Sequence, residues 1–416
     1  MNSELSPPLF RVHRAPERHP ISEIALRDAI GRTVALLAPA AKDRVAIAVP
    51  SRGIDRLPEL VAALATALHD AGASPFIVPA MGSHGGGAPA GQVEQLARLG
   101  VEAARVGAPI LVPEDQRKVA RHDSGPPLLL PAPVLDAQGL VLINRVKLHT
   151  LFVGPVQSGL SKMLLFGLGG ALGAEAAHAH AASIGGSTQR LLPVLEKAVP
   201  RLLDAAPPTV GLALVEDETH ALSHAEASAG ADLLDTDRRL LTLAAQRHPR
   251  LPIARGALLI VEEIGKEISG TGLDPHVIGR SVGRRPGGPQ FDAILACALS
   301  RGTHGNAHGI ALADHTLESL VGQIDREVTA LNGRTSGAPE RGKIPRTHET
   351  EELAVLAALD RCAPGPVLQI RNTLALSDAI IGGVSASVLA AIGLDIIEKL
   401  PEPYFDQAGS LIHRFE

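Results

Sequence analysis

This 416-residue chain alternates repeatedly between short apolar runs, glycine-rich or polar turns, and stretches rich in alanine and leucine, and this alternation limits the folds that it can adopt. Runs such as Arg44–Val49, Gly139–Asn144 and Gly256–Ile264 have the length of strands and are almost continuously apolar. Such runs are typical of parallel strands buried on both faces. Stretches such as Leu57–Ala71 and Leu191–Asp204 have a helical composition and lie between them. The alternation predicts an α/β fold with mostly parallel sheets.

The length of the chain predicts two domains, because a single hydrophobic core rarely grows beyond about 250–300 residues. We place the boundary in the stretch His248–Arg255, which is rich in proline and arginine. This gives an N-terminal α/β domain over residues 1–252 and a C-terminal α/β domain over residues 253–416. We expect the active site in the cleft between the two domains.

Composition and charge exclude several classes of function. Aromatic residues make up 2% of the chain and the net charge is −5 without a strongly basic block, which argues against a nucleic-acid partner. The N-terminal stretch Met1–Pro20 has no apolar run of signal-peptide length, and no run reaches the roughly 18 residues of a membrane helix. We therefore expect a cytoplasmic protein with no membrane partner, in which Cys297 and Cys362 are reduced thiols.

Basic residues and histidines follow five of the predicted strands. In open α/β sheets, ligands bind outside the carboxyl ends of the strands, so we expect these residues at one common edge. The pocket that they imply is net positive and suits a small carboxylate bound by arginine. Two histidines suit acid and base roles near neutral pH. Taken alone, each residue is explained by an ordinary role such as a solvated histidine, a surface ion pair or a surface lysine. Taken together, the residues favour a functional site. The residues concerned are Arg52, His84, Arg145, Lys147, His149, Lys266, Arg301 and His304.

The segment from His149 to His180 carries the most information. Lys162 lies in an otherwise apolar helical stretch, and a buried lysine must be paired or chemically committed. A run of glycines interrupts the helix, and His178 follows the interruption, so the two side chains can converge on one point. The alternative is a Lys162 that faces solvent on an amphipathic helix. His178 and His180 diverge at a spacing of two on a helix, so only one of them reaches a given metal.

The chain contains six short motifs that are specific as a set: Pro50–Gly53 (PSRG), Pro79–Gly86 (PAMGSHGG), Asn144–Thr150 (NRVKLHT), Ser158–Met163 (SGLSKM), Gly167–Gly169 (GLG) and Gly265–Asp274 (GKEISGTGLD). Together they resemble the lactate racemase family, in a branch other than its well-studied racemases. The resemblance spans roughly residues 44–314 and departs from those enzymes in the first turn, where Ser51 and Arg52 follow Val49 and Pro50 instead of Asp-x-Thr-Arg.

The resemblance implies a nickel-pincer nucleotide, nickel pyridinium-3-thioamide-5-thiocarboxylic acid mononucleotide, attached through a thioamide to Lys162. It also implies that the histidine 16 residues later, His178, is the protein ligand to nickel. Ser51, Arg52 and Gly169 map onto positions that bind the cofactor. The implied partners are proteins of cofactor synthesis.

The resemblance further implies a racemase or epimerase that acts on a small 2-hydroxy acid by reversible hydride transfer. The two acid/base histidines of the family map onto His84 and His149. The substrate-binding residues map onto Arg52 and, from the C-terminal domain, Lys266. The identity of the hydroxy acid and the oligomeric state stay open.

Three other functions are compatible with the same residues. The first is a lyase or isomerase that uses the histidine pair without nickel. The second is a binding protein for small anionic metabolites, in which Lys162 is buried and paired. The third is a carrier or store of nickel or of the cofactor.

Overall fold

The computed structural model describes residues 8–120, 125–185, 189–280 and 288–415. The chain forms two compact units. The N-terminal unit is Glu17–His248, and the C-terminal unit combines Met1–Pro16 with Pro249–Glu416. The division at residue 248 lies close to the boundary expected from the sequence. The N-terminal strand, which we expected in the first domain, belongs to the second unit.

The secondary structure alternates between strands and helices along most of the chain. The strands are β1 Leu9–His13, β2 Arg44–Val49, β3 Ser74–Pro79, β4 Gln116–Ala120, β5 Leu128–Pro131, β6 Gly139–Arg145, β7 Phe152–Val153, β8 Gln189–Arg190, β9 Thr209–Glu216, β10 Leu222–Ala229, β11 Arg255–Ile264, β12 Gln290–Leu299, β13 His315–Leu317, β14 Arg346–His348, β15 Val367–Ile370, β16 Asp378–Gly382 and β17 Asp395–Lys399. The helices are α1 Glu23–Leu37, α2 Leu57–Asp70, α3 Pro89–Arg98, α4 Ala103–Val106, α5 Ala132–Leu135, α6 Leu160–Lys162, α7 Gly170–Gly185, α8 Leu192–Ala205, α9 Leu233–Gln246, α10 Glu318–Val321, α11 Arg326–Ser336, α12 Glu351–Leu359 and α13 Ala386–Ala391.

The N-terminal unit is built on a five-stranded sheet in the order β10-β9-β6-β2-β3. Strands β3, β2, β6 and β9 are parallel, and β10 pairs antiparallel with β9 at the edge. Alternate residues of β2 enter two different cores: Ile47 packs with α1, α2 and α3, whereas Ala48 packs with α8 and α9. Both faces of the sheet are therefore covered by helices, which explains why its strands are apolar throughout.

The C-terminal unit contains an eight-stranded sheet in the order β14-β13-β12-β11-β15-β16-β1-β17. Strands β14 to β15 in this order are parallel, whereas β16, β1 and β17 are joined by antiparallel pairs. The mostly parallel α/β architecture expected from the sequence is confirmed. Cys297 and Cys362 are both free thiols.

The expectation that five strands end at one common edge is wrong. The strands that precede Arg52, His84 and His149 belong to the sheet of the N-terminal unit, whereas β11 and β12 belong to the other sheet. The residues that follow β11 and β12, including Lys266, therefore lie on a separate sheet. Similar apolar strands occur in both units, and the local sequence does not say which sheet a strand joins.

Within the ranges that the structure describes, no helix combines the length and the apolar character needed to cross a bilayer.

Candidate active site

Three neighbouring parallel strands deliver the candidate residues of the N-terminal unit. Ser51 and Arg52 follow β2, His84 follows β3, and His149 follows β6. Because β2 lies between β3 and β6, their carboxyl ends meet at one edge of the sheet. Lys162, Gly169 and His178 belong to the same unit.

The segment that carries Lys162 changes its helical geometry directly after that residue. Helix α6 ends at Lys162 and continues as a π-helix over Met163–Gly167. The amide of Leu168 donates to the carbonyl of Met163 at 3.0 Å, which is the wide turn of a π-helix. Helix α7 begins at Gly170. π-Helical turns are rare and often mark functional sites, and this one leads directly into the glycine interruption expected from the sequence.

A buried carboxylate anchors the start of this helix. Asp237 on α9 accepts hydrogen bonds from the amides of Leu160 at 2.9 Å and Ser161 at 2.8 Å. Burial raises the pKa of Asp237 to about 7, while the two amide donors favour its ionised form. Gly159 has a φ of +111°, and a Cβ atom there would lie 2.0 Å from a carboxylate oxygen of Asp237. The side chain of Asn144 at the end of β6 donates to the carbonyl of Gly159 at 2.7 Å.

We predict that Asp237→Ala destabilises the N-terminal unit more than Asp237→Asn. The alanine variant leaves two buried amides without an acceptor, at about 1–3 kcal/mol each. Asparagine keeps one acceptor oxygen and serves as the matched control. The midpoint of urea unfolding measures the difference, and an alanine variant as stable as the unchanged protein would contradict the assigned anchor.

The glycine loop after β3 lies directly against the π-helix. The amide of Gly82 donates to the carbonyl of Gly167 at 3.0 Å. A Cβ atom at Gly167 would lie 2.7 Å from the carbonyl oxygen of Ala80, and one at Gly169 would lie 2.4 Å from that of Leu165. Gly167 therefore permits the close backbone contact that holds the His84 loop beside the Lys162 helix, and Gly169 permits a close approach to Leu165 within that helical segment. The cofactor contact assigned to Gly169 stays a prediction.

Two phenylalanine rings join the lysine to the histidines. The Nζ atom of Lys162 lies 4.5 Å from the ring centre of Phe152 and 5.6 Å from that of Phe166. His178 stacks on Phe152, with ring centres 5.5 Å apart, and meets Phe166 edge-on at 4.8 Å. The ring of His149 lies 4.6 Å from that of Phe152. Phe152, which is fully buried, is thus a common neighbour of all three candidate side chains.

The environment of Lys162 favours an uncharged amine. Burial, followed by the positive charges of Lys147 and Arg52, lowers the pKa of Lys162 to about 7. The side chain is half-buried, and no carboxylate in the described ranges forms an ion pair with it. The structure therefore places Lys162 among aromatic rings and cations, where a substantial fraction of its amine is neutral at pH 7.

We predict that Lys162 of the apoprotein reacts with an amine-directed acylating reagent well below the pH at which surface lysines react. Because only the neutral amine is nucleophilic, its rate rises as pH passes through about 7 and levels off above it. Peptide mass spectrometry after brief labelling measures the rate for each lysine, and the exposed Lys399 serves as the internal control. A Lys162 profile identical to that of Lys399 would contradict this environment.

His178 lies beside the amine with an unpartnered nitrogen. Its Nδ1 atom is buried and has no hydrogen-bond partner among the residues described. Burial, followed by the charges of Lys162 and His84, lowers the pKa of His178 to about 4. The ring is therefore neutral at pH 7, which is the form that binds a metal. The contacts with Phe152 and Phe166 identify His178, rather than His180, as the histidine packed against the rings beside Lys162.

The other two histidines have different hydrogen-bond partners. Nδ1 of His84 hydrogen-bonds with the hydroxyl of Ser51. Nδ1 of His149 accepts from the amides of Leu151 and Phe152, each at 3.1 Å. Burial and nearby positive charges lower the pKa of His84 to about 4 and that of His149 well below its ordinary value. Both rings are neutral at pH 7, and the cofactor contact assigned to Ser51 stays a prediction beside its observed bond to His84.

The two arginines near the strand ends are held differently. Arg145 forms a buried ion pair with Glu216, whose second oxygen accepts from the amide of Asp55 at 2.8 Å. Arg52 is exposed, and its charge lowers the pKa values of His84, Arg145, His149 and Lys162. Arg52 is therefore the guanidinium of this edge that is accessible to an anionic ligand.

Lys266 belongs to the C-terminal unit. Its Nζ atom donates to the side chain of Asn332 at 2.7 Å and also to the carbonyl of Gly270. The role of Lys266 in binding substrate, and the position of the site between two domains, stay predictions.

Sequence reasoning did not identify Phe152, Phe166 or Asp237. The chain has only seven phenylalanines and no tryptophan, and two of the seven flank Lys162 in the segment that carries the most motifs. That local concentration of rings is the signal that points to them. Asp237 has no such signal, because it lies 76 residues from the amide of Ser161 that it binds.

In the part of the chain that the structure describes, no three His, Cys, Asp or Glu side chains are grouped so as to hold a metal ion.

No protein-family model and no curated protein matches the chain. Among solved structures, the chain is similar to a protein of Thermotoga maritima, with a TM-score of 0.53 and 15% identity over 82% of this chain and 92% of that one. It is also similar to the lactate racemase apoprotein of Thermoanaerobacterium thermosaccharolyticum, with a TM-score of 0.49 and 13% identity over 88% of this chain and 99% of that one. At such identities the likeness to the Thermotoga maritima protein concerns the fold alone, which it supports independently of the sequence pattern.

Proposed function

We propose that this protein racemises or epimerises a small 2-hydroxy acid with a nickel-pincer nucleotide tethered to Lys162. The observation that carries the proposal is the convergence of Lys162 and His178 on the same two rings, Phe152 and Phe166. The chemistry proposed for this convergence is the one implied by the motifs that resemble those of the lactate racemase family.

The residues present fit this cofactor. A lysine with a pKa of about 7 can form a covalent bond through its neutral amine. A neutral imidazole such as that of His178 is a suitable nitrogen ligand for nickel. Lys162 and His178 would hold the group, with Ser51, Arg52 and Gly169 as further contacts. The chemistry that this cofactor supplies when bound is the reversible acceptance of a hydride.

The chain's own residues would bind the substrate and handle its hydroxyl proton. The guanidinium of Arg52 can clamp a carboxylate through two parallel hydrogen bonds, and Lys266 is a second cation proposed for the same group. His84 and His149 are neutral at pH 7, so neither adds charge to the site before substrate binds. Held beside the substrate oxygen, they would remove, return or share its proton.

A substrate deuterated at C2 tests the reaction. Enantiopure 2-hydroxy acids are incubated with cofactor-loaded protein and separated by chiral chromatography, and the product is analysed for deuterium. We expect the opposite enantiomer to form with deuterium retained at C2, because the hydride returns to the same carbon. Exchange of C2 deuterium with solvent would instead support proton abstraction by a lyase or isomerase without nickel, and ligand binding with no turnover would support a binding protein.

A further inference from the structure

We infer that Asn144 and Asp237 are positioning residues for Lys162. They hold the peptide unit between Gly159 and Leu160 from two sides, and we call these contacts the Gly159 anchor. The inference deepens the proposed function and rests on it for the role of Lys162. The contacts that carry it belong to the protein alone.

Both polar groups of this peptide unit are bound by side chains from other elements of the N-terminal unit. The carbonyl of Gly159 accepts from the side-chain amide of Asn144, at the end of β6, at 2.7 Å. The N–H of Leu160 donates to one carboxylate oxygen of Asp237, on α9, at 2.9 Å. The other oxygen of Asp237 accepts from the amide of Ser161 at 2.8 Å. The sheet and a distant helix therefore fix the same peptide at its two opposite poles.

The backbone at Gly159 has a conformation that glycine alone adopts readily. Its φ is +111° and its ψ is −158°. A Cβ atom at this position would lie 2.0 Å from an oxygen of Asp237. The residue before it is also fixed, because the hydroxyl of Ser158 accepts from the amide of Lys147 and donates to its carbonyl, each at 2.6 Å. Backbone in such a sparsely populated region persists only where its surroundings hold it, and it is concentrated at functional sites.

Lys162 takes its position from the Gly159 anchor with little support from the helix that follows. It is the next residue after Ser161, whose amide is bound by Asp237. Helix α6 has only three residues and ends at Lys162. The turn after it is π-helical, so no continuous α-helix holds the lysine from its C-terminal side. A shift of the anchored peptide would therefore reach the backbone of Lys162 directly.

The influence of Asp237 on the amine is positional. Both of its oxygens bind backbone amides, and no ion pair joins Asp237 to Lys162 in the described structure. The Nζ atom of Lys162 lies 4.5 Å from the ring centre of Phe152 and 5.6 Å from that of Phe166, and both rings are buried. A displacement of about 1 Å at a reacting centre can cost about 10²-fold in rate. Fixing the lysine backbone would thus place a group attached to its amine for reaction.

Nuclear magnetic resonance of the apoprotein tests the Gly159 anchor without cofactor or turnover. Lysine and phenylalanine are labelled with ¹³C on a deuterated background, and Overhauser effects are measured from the ε-methylene of Lys162 to the rings of Phe152 and Phe166. The lysine signals are assigned by their loss in Lys162→Arg. The unchanged protein should show contacts to both rings, because its amine lies near both ring centres.

Two conservative variants release the anchor from either side. Asn144→Asp keeps the side-chain oxygen that accepts from the amide of Arg145 at 2.9 Å and loses the N–H that binds Gly159. Asp237→Asn keeps one acceptor oxygen. In each, we expect the ratio of displaced to held Lys162 side chain to rise about 2–10-fold, the effect of one lost hydrogen bond. The Overhauser effects should weaken, and the lysine chemical shift should approach that of the exposed Lys399.

A destabilised variant on the other face of the sheet separates position from stability. Val61 on α2 is fully buried in the core opposite to the one that contains Phe152 and Phe166. Val61→Ala should lower the midpoint of urea unfolding and leave the contacts of Lys162 unchanged. Unchanged ring contacts in both Asn144→Asp and Asp237→Asn would overturn the inference. It would also fail if Val61→Ala weakened those contacts to the same extent.

Kinetics of cofactor-loaded protein provide the second arm. We expect Asn144→Asp and Asp237→Asn to lower kcat by about 10–100-fold with little change in KM, because the proposed substrate contact at Arg52 is untouched. Val61→Ala should retain its kcat. A raised KM with an unchanged kcat would contradict positioning of the reacting centre. If the unchanged protein shows no turnover, the proposed function fails, and the resonance measurement still decides whether the Gly159 anchor positions Lys162.

Discussion

Replacing Lys162 by alanine is expected to abolish racemisation, with a loss of at least about 10⁴-fold, the scale observed when a covalent catalytic group is removed. The physical reason is that the amine among Phe152, Phe166 and His178 is the proposed attachment point of the cofactor. The measurement is chiral analysis of a 2-hydroxy acid after incubation with protein expressed beside the cofactor-synthesis proteins.

Two controls separate this role from an effect of charge. Lys162→Arg keeps a positive charge, but a guanidinium remains protonated and cannot act as the nucleophilic amine, so we expect it to be as inactive as Lys162→Ala. Lys147→Ala removes a neighbouring cation that lowers the pKa of Lys162, and we expect it to retain activity within about tenfold because one exposed charge is a modest perturbation. An active Lys162→Arg variant would contradict covalent attachment at this residue.

Replacing Arg52 by glutamine is expected to lower kcat/KM by about 10²–10³-fold, mainly through a higher KM. The exposed guanidinium is the proposed clamp on the substrate carboxylate, and a bidentate ionic contact of this kind is not reproduced by an amide. Arg52→Lys serves as the matched control, because it keeps the charge and loses the planar pair of donors. Steady-state kinetics with both enantiomers measures the effect. Unchanged KM values in Arg52→Gln would exclude this residue from carboxylate binding.

Removal of the Arg52 charge is also expected to change the pKa of Lys162 in a predictable direction. A neighbouring positive charge lowers the pKa of an amine, so its removal raises the pKa of Lys162 above about 7. The labelling profile of Lys162 in Arg52→Gln should therefore shift to higher pH. The charge-conserving Arg52→Lys variant should shift it less. A profile unchanged by Arg52→Gln would show that Arg52 does not act on the amine.

Local sequence patterns predicted the elements that carry the site. The apolar run Arg44–Val49 is strand β2, and Gly139–Asn144 lies within β6. The glycine interruption between Lys162 and His178 is also present, although the helix before it is π-helical rather than α-helical. These features were predictable because continuous apolar runs indicate buried strands and glycine clusters indicate turns, and both can be recognised from neighbouring residues in the sequence.

Features that depend on contacts distant in sequence were not predictable in this way. Strand β1 pairs with β16, more than 360 residues later, and nothing in Leu9–His13 indicates that partner. The apolar run Ala108–Val112 has the composition of a strand, yet in the described structure it forms only an isolated bridge between Ile110 and Ile77. The turn at His149 is local, but the direction of the two amides that bond its Nδ1 atom, those of Leu151 and Phe152, is not specified by residue types alone.

Attachment of the cofactor to Lys162 can be tested by the intact mass of protein expressed with the cofactor-synthesis proteins, followed by mapping of the modified peptide. We expect an added mass equal to that of the nickel-pincer nucleotide attached through a thioamide, located on Lys162 and absent from Lys162→Arg. Unmodified Lys162 in protein that nevertheless racemises a 2-hydroxy acid would contradict it.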